Sequence, residues 1–231
     1  MSNRTGPLSG SVWERESSSH AMSKNLFAFL VSFWTAVGIA SSAVAASFTT
    51  GWHPTLWPLL GLSLIPFAGI FIALRSGNPV VSLIGYMLVT IPFGLIVGPV
   101  VAMYTAASVT KVLMITTGMV VVLGIVGAVY PKSLESWGIW LLGALLVLIF
   151  GQFGVMIAGA FGVNVGGAMT VLDWVGVALF SGYVVYDLNR AMRVERTHDN
   201  AIDCAVAVYL DFANIFIRLL SLMGDRKSSS D

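Results

Sequence analysis

Apolar residues run along this chain in seven long blocks, each closed off by a cluster of polar, glycine or proline residues. The first block, 25–47, holds no charged side chain, and about 20 apolar residues suffice to cross a bilayer as a helix. The later blocks predict helical spans over 55–74, 79–104, 112–130, 137–160, 171–187 and 201–223, the sixth continuing helically to Arg193. Ser76-Gly77-Asn78-Pro79 is a turn in which Pro79 opens the third helix. Pro92 and Pro99 lie seven apart in that helix with Gly94 and Gly98 between them, which predicts a kinked helix packed closely on a neighbour, or a hinge. FGVNVGG, from Phe161 to Gly167, reads as a turn, because it lacks the Lys-Ser/Thr and the strand of a phosphate cradle.

Composition agrees with this pattern. Of 231 residues, 57% are hydrophobic and 10% charged, against about 25% charged in a soluble domain. The expected fold is an all-α membrane protein, a bundle of seven transmembrane helices over 25–223, with a flexible tail over 1–24 and a short polar tail over 224–231. A net charge of +1 gives no sign of a nucleic-acid partner, and a lone Cys204 excludes an internal disulfide or a cysteine-built metal site. The basic residues matter through their positions. Arg4, Arg15, Lys24, Arg75, Lys132, Arg190, Arg193 and Arg196 fall on one side of the seven spans, whereas Lys111, Arg218, Arg226 and Lys227 fall on the other. The positive-inside rule then predicts a cytoplasmic amino terminus and an outside carboxyl terminus.

The chemistry concentrates in the last two spans. Asp187 and Asp211 lie inside apolar helical segments, where a carboxylate is costly and marks an ion path, a proton relay or a catalytic site. At 1.5 Å per residue, Asp211 lies about 15 Å into the last span and Asp187 about 9 Å from the end of the sixth. Consecutive antiparallel helices bring such residues face to face. Tyr183 shares a face with Asp187, and Asn214 shares one with Asp211, so each carboxylate has a candidate hydrogen-bonding neighbour. Two carboxylates in contact cannot both ionise cheaply and titrate as a unit, which makes them a natural pH switch. Arg218, seven residues beyond Asp211, is expected to bridge to Asp173 at the outer end of the sixth span, and Glu195, Asp199 and Asp203 are expected in a solvated turn.

YVVYDLNR (Tyr183 to Arg190) and VYLDFANIFIRLLSLMG (Val208 to Gly224) strongly resemble the closing signature of the Bax inhibitor-1 family, the transmembrane Bax inhibitor motif proteins, bacterial members included. The resemblance implies a seven-helix bundle with the last helix at its centre, acting as a pH-sensitive calcium leak. It implies that Asp187 and Asp211 form the pH sensor and gate, that Arg75 engages Asp187 when the latch opens, and that calcium is the transported ion with no resident cofactor. An acidic residue that the family carries in the second span has no counterpart in LGLSLIPFAGIFIAL. Arg218, where the family pattern tolerates a polar residue, is expected to reduce cation passage by repulsion. Calcium takes six to eight oxygens, and two membrane carboxylates with Asn, Tyr and backbone carbonyls would hold it weakly, as a passing ion requires. The expected location is a bacterial plasma (inner) membrane, with the lipid bilayer and calcium as partners.

Other seven-span chemistries fit less well. An intramembrane aspartyl protease needs a Gly-x-Gly-Asp, whereas Asp211 follows Tyr209-Leu210, and a retinal protein needs a lysine that the last span lacks. No enzymatic activity is expected. The rival is a regulatory protein that binds a membrane protease or a cell-death or stress partner through the basic turn 190–196; that role would be insensitive to Asp211→Asn.

Overall fold

The computed structural model describes residues 22–53 and 55–227. The expected tail up to residue 21, with Arg4 and Arg15, lies outside the described residues, as do residues 228–231. Seven helices account for nearly all of the described chain: α1 (Lys24–Ser47), α2 (Leu56–Arg75), α3 (Pro79–Ala102), α4 (Ala106–Val129), α5 (Trp137–Ala160), α6 (Gly166–Ala191) and α7 (His198–Met223). All seven are long and apolar enough to cross a membrane, and no strand forms among the described residues.

Local chemistry sets the helix starts. The Ser23 hydroxyl accepts the Leu26 N–H at 3.2 Å, the Asn78 Oδ1 accepts the Val80 N–H at 2.9 Å, and the Thr105 hydroxyl accepts the Ser108 N–H at 3.3 Å. Each satisfies a backbone donor that the first helical turn leaves open. Three starts come earlier than the hydrophobic pattern predicts. The Thr105 cap begins α4 at Ala106 rather than 112, which leaves Lys111 exposed within the helix. Asn164 accepts the Gly166 N–H at 3.2 Å, so α6 absorbs Gly166 and Gly167 and the glycine-rich turn is shortened. Within that turn Gly162 adopts φ 83, a backbone state open to glycine. Thr197 caps α7 through the Asn200 N–H at 3.1 Å, so that helix starts at His198. Asp199 and Asp203 therefore belong to the helix and not to the solvated turn expected of them.

Small residues bring the helices close. A side chain on Gly85 would strike the backbone of Gly69 and Ala73, so α2 and α3 touch main chain to main chain. Gly94 and Gly98 press α3 in the same way onto Ser42 and Ala46 of α1, which is the close packing that their spacing predicts. Gly127 sets α4 against the Val185 carbonyl of α6. Because lipid removes the hydrophobic drive between helices, such close contact and hydrogen bonds across helices carry the association. Ser42 supplies two such bonds, one to the Thr90 carbonyl of α3 at 2.7 Å and one with the Tyr209 hydroxyl of α7 at 2.6 Å.

The last helix is the most buried. It packs against α1, α2, α3, α4 and α6, and its buried positions run from Ala201 to Leu220. By contrast α5 rests chiefly on α6 and turns Trp140, Val147 and Phe150 outward. One end of the bundle, the basic end, carries the α2–α3, α4–α5 and α6–α7 turns. At the far end the chain after α7 is clipped to the α3–α4 turn. Thr105 N–H donates to the Asp225 carbonyl at 3.0 Å, and Lys227 N–H donates to Met103 at 2.9 Å.

Candidate functional site: an acid pair between the last two helices

Acidic and basic side chains recur within the seam where α6 meets α7. On α6, Asp173, Phe180 and Asp187 recur every seven residues and share one face. On α7, Asp211 and Arg218 do the same. Antiparallel packing sets the two series against each other, so acid meets acid toward the basic end and acid meets arginine toward the far end.

At the first level the Asp187 and Asp211 side chains stand within hydrogen-bonding reach of each other. Asp211 is only 3% exposed, and its Oδ2 has no hydrogen-bond partner among the described residues. Two carboxyls can approach this way when they share a proton, one donating to the other. Asp187 is partly buried and lies one turn from exposed Arg190. Tyr183 sits within electrostatic range of both carboxyls and packs edge-on against Tyr186, ring centroids 6.5 Å apart. Cys204 of α7 approaches Asp187. Asn214, expected to support Asp211, instead donates to the Leu210 carbonyl of its own helix at 2.9 Å. Arg75 stands apart: it is exposed, with its guanidinium 4.7 Å above the Phe71 ring of the same helix, and it makes no ion pair among the described residues.

Toward the far end, Arg218 is 7% exposed. Its Nη1 lies 3.3 Å from Asp173 Oδ1 and 3.4 Å from the Leu172 carbonyl, and its Nη2 lies 3.4 Å from Gln152 Oε1. Ser221 donates to the other Asp173 oxygen at 2.7 Å. The guanidinium stem crosses α6 at Gly176, where any Cβ would collide with it, and the Arg218 Cζ lies 5.7 Å from the Phe180 ring centroid. Sequence reasoning did not bring in Gln152, Gly176 or Phe180, which become partners only through packing.

Two further polar features stand beside the basic end. The Ser82 hydroxyl of α3 donates to Asp199 Oδ1 at 2.6 Å, and Asp203 Oδ1 is buried with no partner among the described residues. No three His, Cys, Asp or Glu side chains among the described residues converge as a metal site. A cation between Asp187 and Asp211 would meet two carboxyls, one of which offers an unpartnered oxygen. That donor set fits a hard cation that keeps much of its water.

Seven helices long and apolar enough to cross a membrane, with an acid pair buried between the last two, define a multi-pass integral membrane protein. Known proteins narrow the class. The family described as Inhibitor of apoptosis-promoting Bax1 matches residues 22–228, and the chain belongs to this Bax inhibitor-1 family. The inner membrane protein YbhL of Escherichia coli K12 is 24% identical over 214 residues, covering 84% of this chain and 89% of that one. An uncharacterized protein of Deinococcus radiodurans is 28% identical over 210 residues, with 84% and 87% covered.

Proposed function

We propose that this protein is a pH-sensitive calcium leak, gated by the Asp187–Asp211 pair and free of enzymatic activity and resident cofactors. The observation that carries the proposal is Asp211, 3% exposed, with an unpartnered Oδ2 beside a second carboxyl. A bilayer-spanning helix bears the cost of such a group where function needs it. With one proton shared, the pair latches α6 to α7. When the proton leaves as pH rises, two like charges confront each other and must part or take up a cation. Calcium suits the vacated oxygens as cargo, held loosely enough to leave again. Tyr183, Arg190 and Cys204 face the pair, and Arg75 serves as the mobile counter-charge for Asp187 in the open state. By likeness to YbhL, an inner membrane protein, and by its basic loops, the chain sits in a bacterial plasma membrane with its amino terminus in the cytoplasm.

The test is calcium flux through purified full-length protein in liposomes from about pH 5 to 8. Flux that rises with pH, and loses that dependence in Asp187→Asn and Asp211→Asn, supports the proposal. Flux no greater than that of empty liposomes at every pH refutes it.

A further inference from the structure

Helices α1 and α4 both pack on α7, yet they do not pack on each other along their length. Two cavities occupy the gap between them, one of about 370 Å³ toward the basic end and one of about 340 Å³ toward the far end. Both take in Ile39 of α1 and Phe212 of α7, so they form one groove. Its α1 wall runs from Ala28 to Ser47, about 28 Å of helix, which is close to the thickness of the hydrocarbon core. The floor is buried Val208 and Phe212, whereas Ala36 on one wall and Ile125 on the other are exposed. The groove is therefore open sideways to lipid.

Its chemistry is that of hydrocarbon. The hydroxyls along the half toward the basic end are turned back onto their own helices: Ser32 donates to the Ala28 carbonyl at 2.9 Å, Thr35 to Val31 at 2.8 Å and Thr117 to Leu113 at 2.8 Å. No donor there is left to hold water or a polar ligand. Neither cavity has room for a further helix, which is about 10–12 Å across with its side chains. The mouth at the basic end carries the opposite character. Lys24 is exposed one turn before Ala28 on the same face of α1. Arg193 follows the groove residue Met192 and is exposed, with its Nη2 3.3 and 3.1 Å from the carbonyls of Tyr130 and Pro131 just beyond α4. A cation thus stands on either side of the mouth, and neither makes an ion pair among the described residues. We propose that the α1–α4 groove is a binding site for an anionic phospholipid, one acyl chain lying along Val208 and Phe212 and the phosphate held between Lys24 and Arg193. Occupancy of the groove does not depend on calcium passage.

The experiment offers purified full-length protein in detergent two lipids with identical acyl chains, anionic phosphatidylglycerol and zwitterionic phosphatidylcholine. Native mass spectrometry counts the lipids retained as collision energy rises, and thermal unfolding reads the stabilisation. One phosphatidylglycerol should stay bound at energies that strip phosphatidylcholine, and at about ten times its Kd it should raise Tm by roughly 3–6 °C. Ala36→Phe fills the groove and should abolish both effects. Val122→Phe adds the same ring at an exposed position of α4 outside the groove and should bind as the native chain does, which separates loss of the site from loss of the fold. Lys24→Gln should cut the preference for the anionic lipid roughly fivefold, the worth of one cation at a membrane surface. Phosphatidylcholine retained as firmly as phosphatidylglycerol by the native chain, or phosphatidylglycerol retained by Ala36→Phe as by the native chain, would overturn the proposal. A dimer that Ala36→Phe dissolves would overturn it too, by placing a second copy of the chain in the groove.

Discussion

Asn189 closes the Tyr-Asp-Leu-Asn run two residues after Asp187, and replacing it tests what holds that end of α6. The side chain is 2% exposed. Its Oδ1 accepts the Leu134 N–H at 3.0 Å and the Arg193 Nε at 3.2 Å, and its Nδ2 faces the carbonyls of Gly127, Tyr130 and Lys132 at 3.1, 3.2 and 3.1 Å. One amide thus ties the α4–α5 turn to the helix that carries the acid pair. In Asn189→Ala the buried Leu134 N–H loses its acceptor, at about 1–3 kcal/mol, and two amide donors are removed, at about 0.5–1.5 kcal/mol each. The expected loss is about 3 kcal/mol, or a fall in Tm of roughly 6–12 °C for a chain of this size. Asn189→Asp separates the two halves of the amide. It keeps the acceptor for Leu134 but turns an oxygen toward three carbonyls, so at neutral pH it should melt no higher than the alanine variant. On acidification it should gain stability, because its protonated form regains a donor toward those carbonyls. Thermal unfolding of the purified protein in detergent measures both. An alanine variant within about 2 °C of native, or an aspartate variant equal to native at neutral pH, would show that the amide does not carry this junction.

Two other substitutions probe the packing. Gly98→Ala places a methyl against the Ala46 carbonyl and the Thr49 hydroxyl, where backbone cannot yield, and should cost about 1–3 kcal/mol by overpacking; Gly154→Ala meets open space and should melt at or slightly above native. Ser108→Ala removes the two bonds that Ser108 exchanges with Asp225, each at 2.9 Å, and should speed amide exchange at Thr105 and Lys227 by roughly 5- to 30-fold, the equivalent of about 1–2 kcal/mol, with exchange unchanged if the clip does not depend on that serine.

The helices were legible because a bilayer span leaves a long unbroken signature. The charge-free block 25–47 and the block 137–160 became helices within a residue of their predicted limits. The starts of α4, α6 and α7 were not, because the residues that set them, the caps Thr105 and Thr197 and the Asn164 that precedes the α6 cap, lie outside the apolar runs and act through single hydrogen bonds. The displacement of Asp199 and Asp203 into α7 has the same origin: the Thr197 cap lets a polar turn continue the helix, and the Ser82 hydroxyl of α3 then donates to Asp199. The glycines carried more than propensity would suggest. Gly94 and Gly98 announced a close contact by their spacing, yet nothing in the sequence said that α1 would fill it.

The acid pair and the arginine bridge differ in the same way. Asp187 and Asp211 announce themselves by charge in apolar surroundings, and antiparallel succession of the two spans is enough to bring them together. Arg218 also stands out by charge, but its setting is assembled from three helices: Asp173 and Gly176 from α6, Gln152 from α5, and the Phe180 ring between the bridge and the acids. Gly176 is the telling residue, since any larger side chain would push the guanidinium out of the seam. The arginine crosses α6 at this glycine with its Cζ 5.7 Å from the Phe180 ring centroid, so its setting is a property of the packed helices that no run of sequence contains.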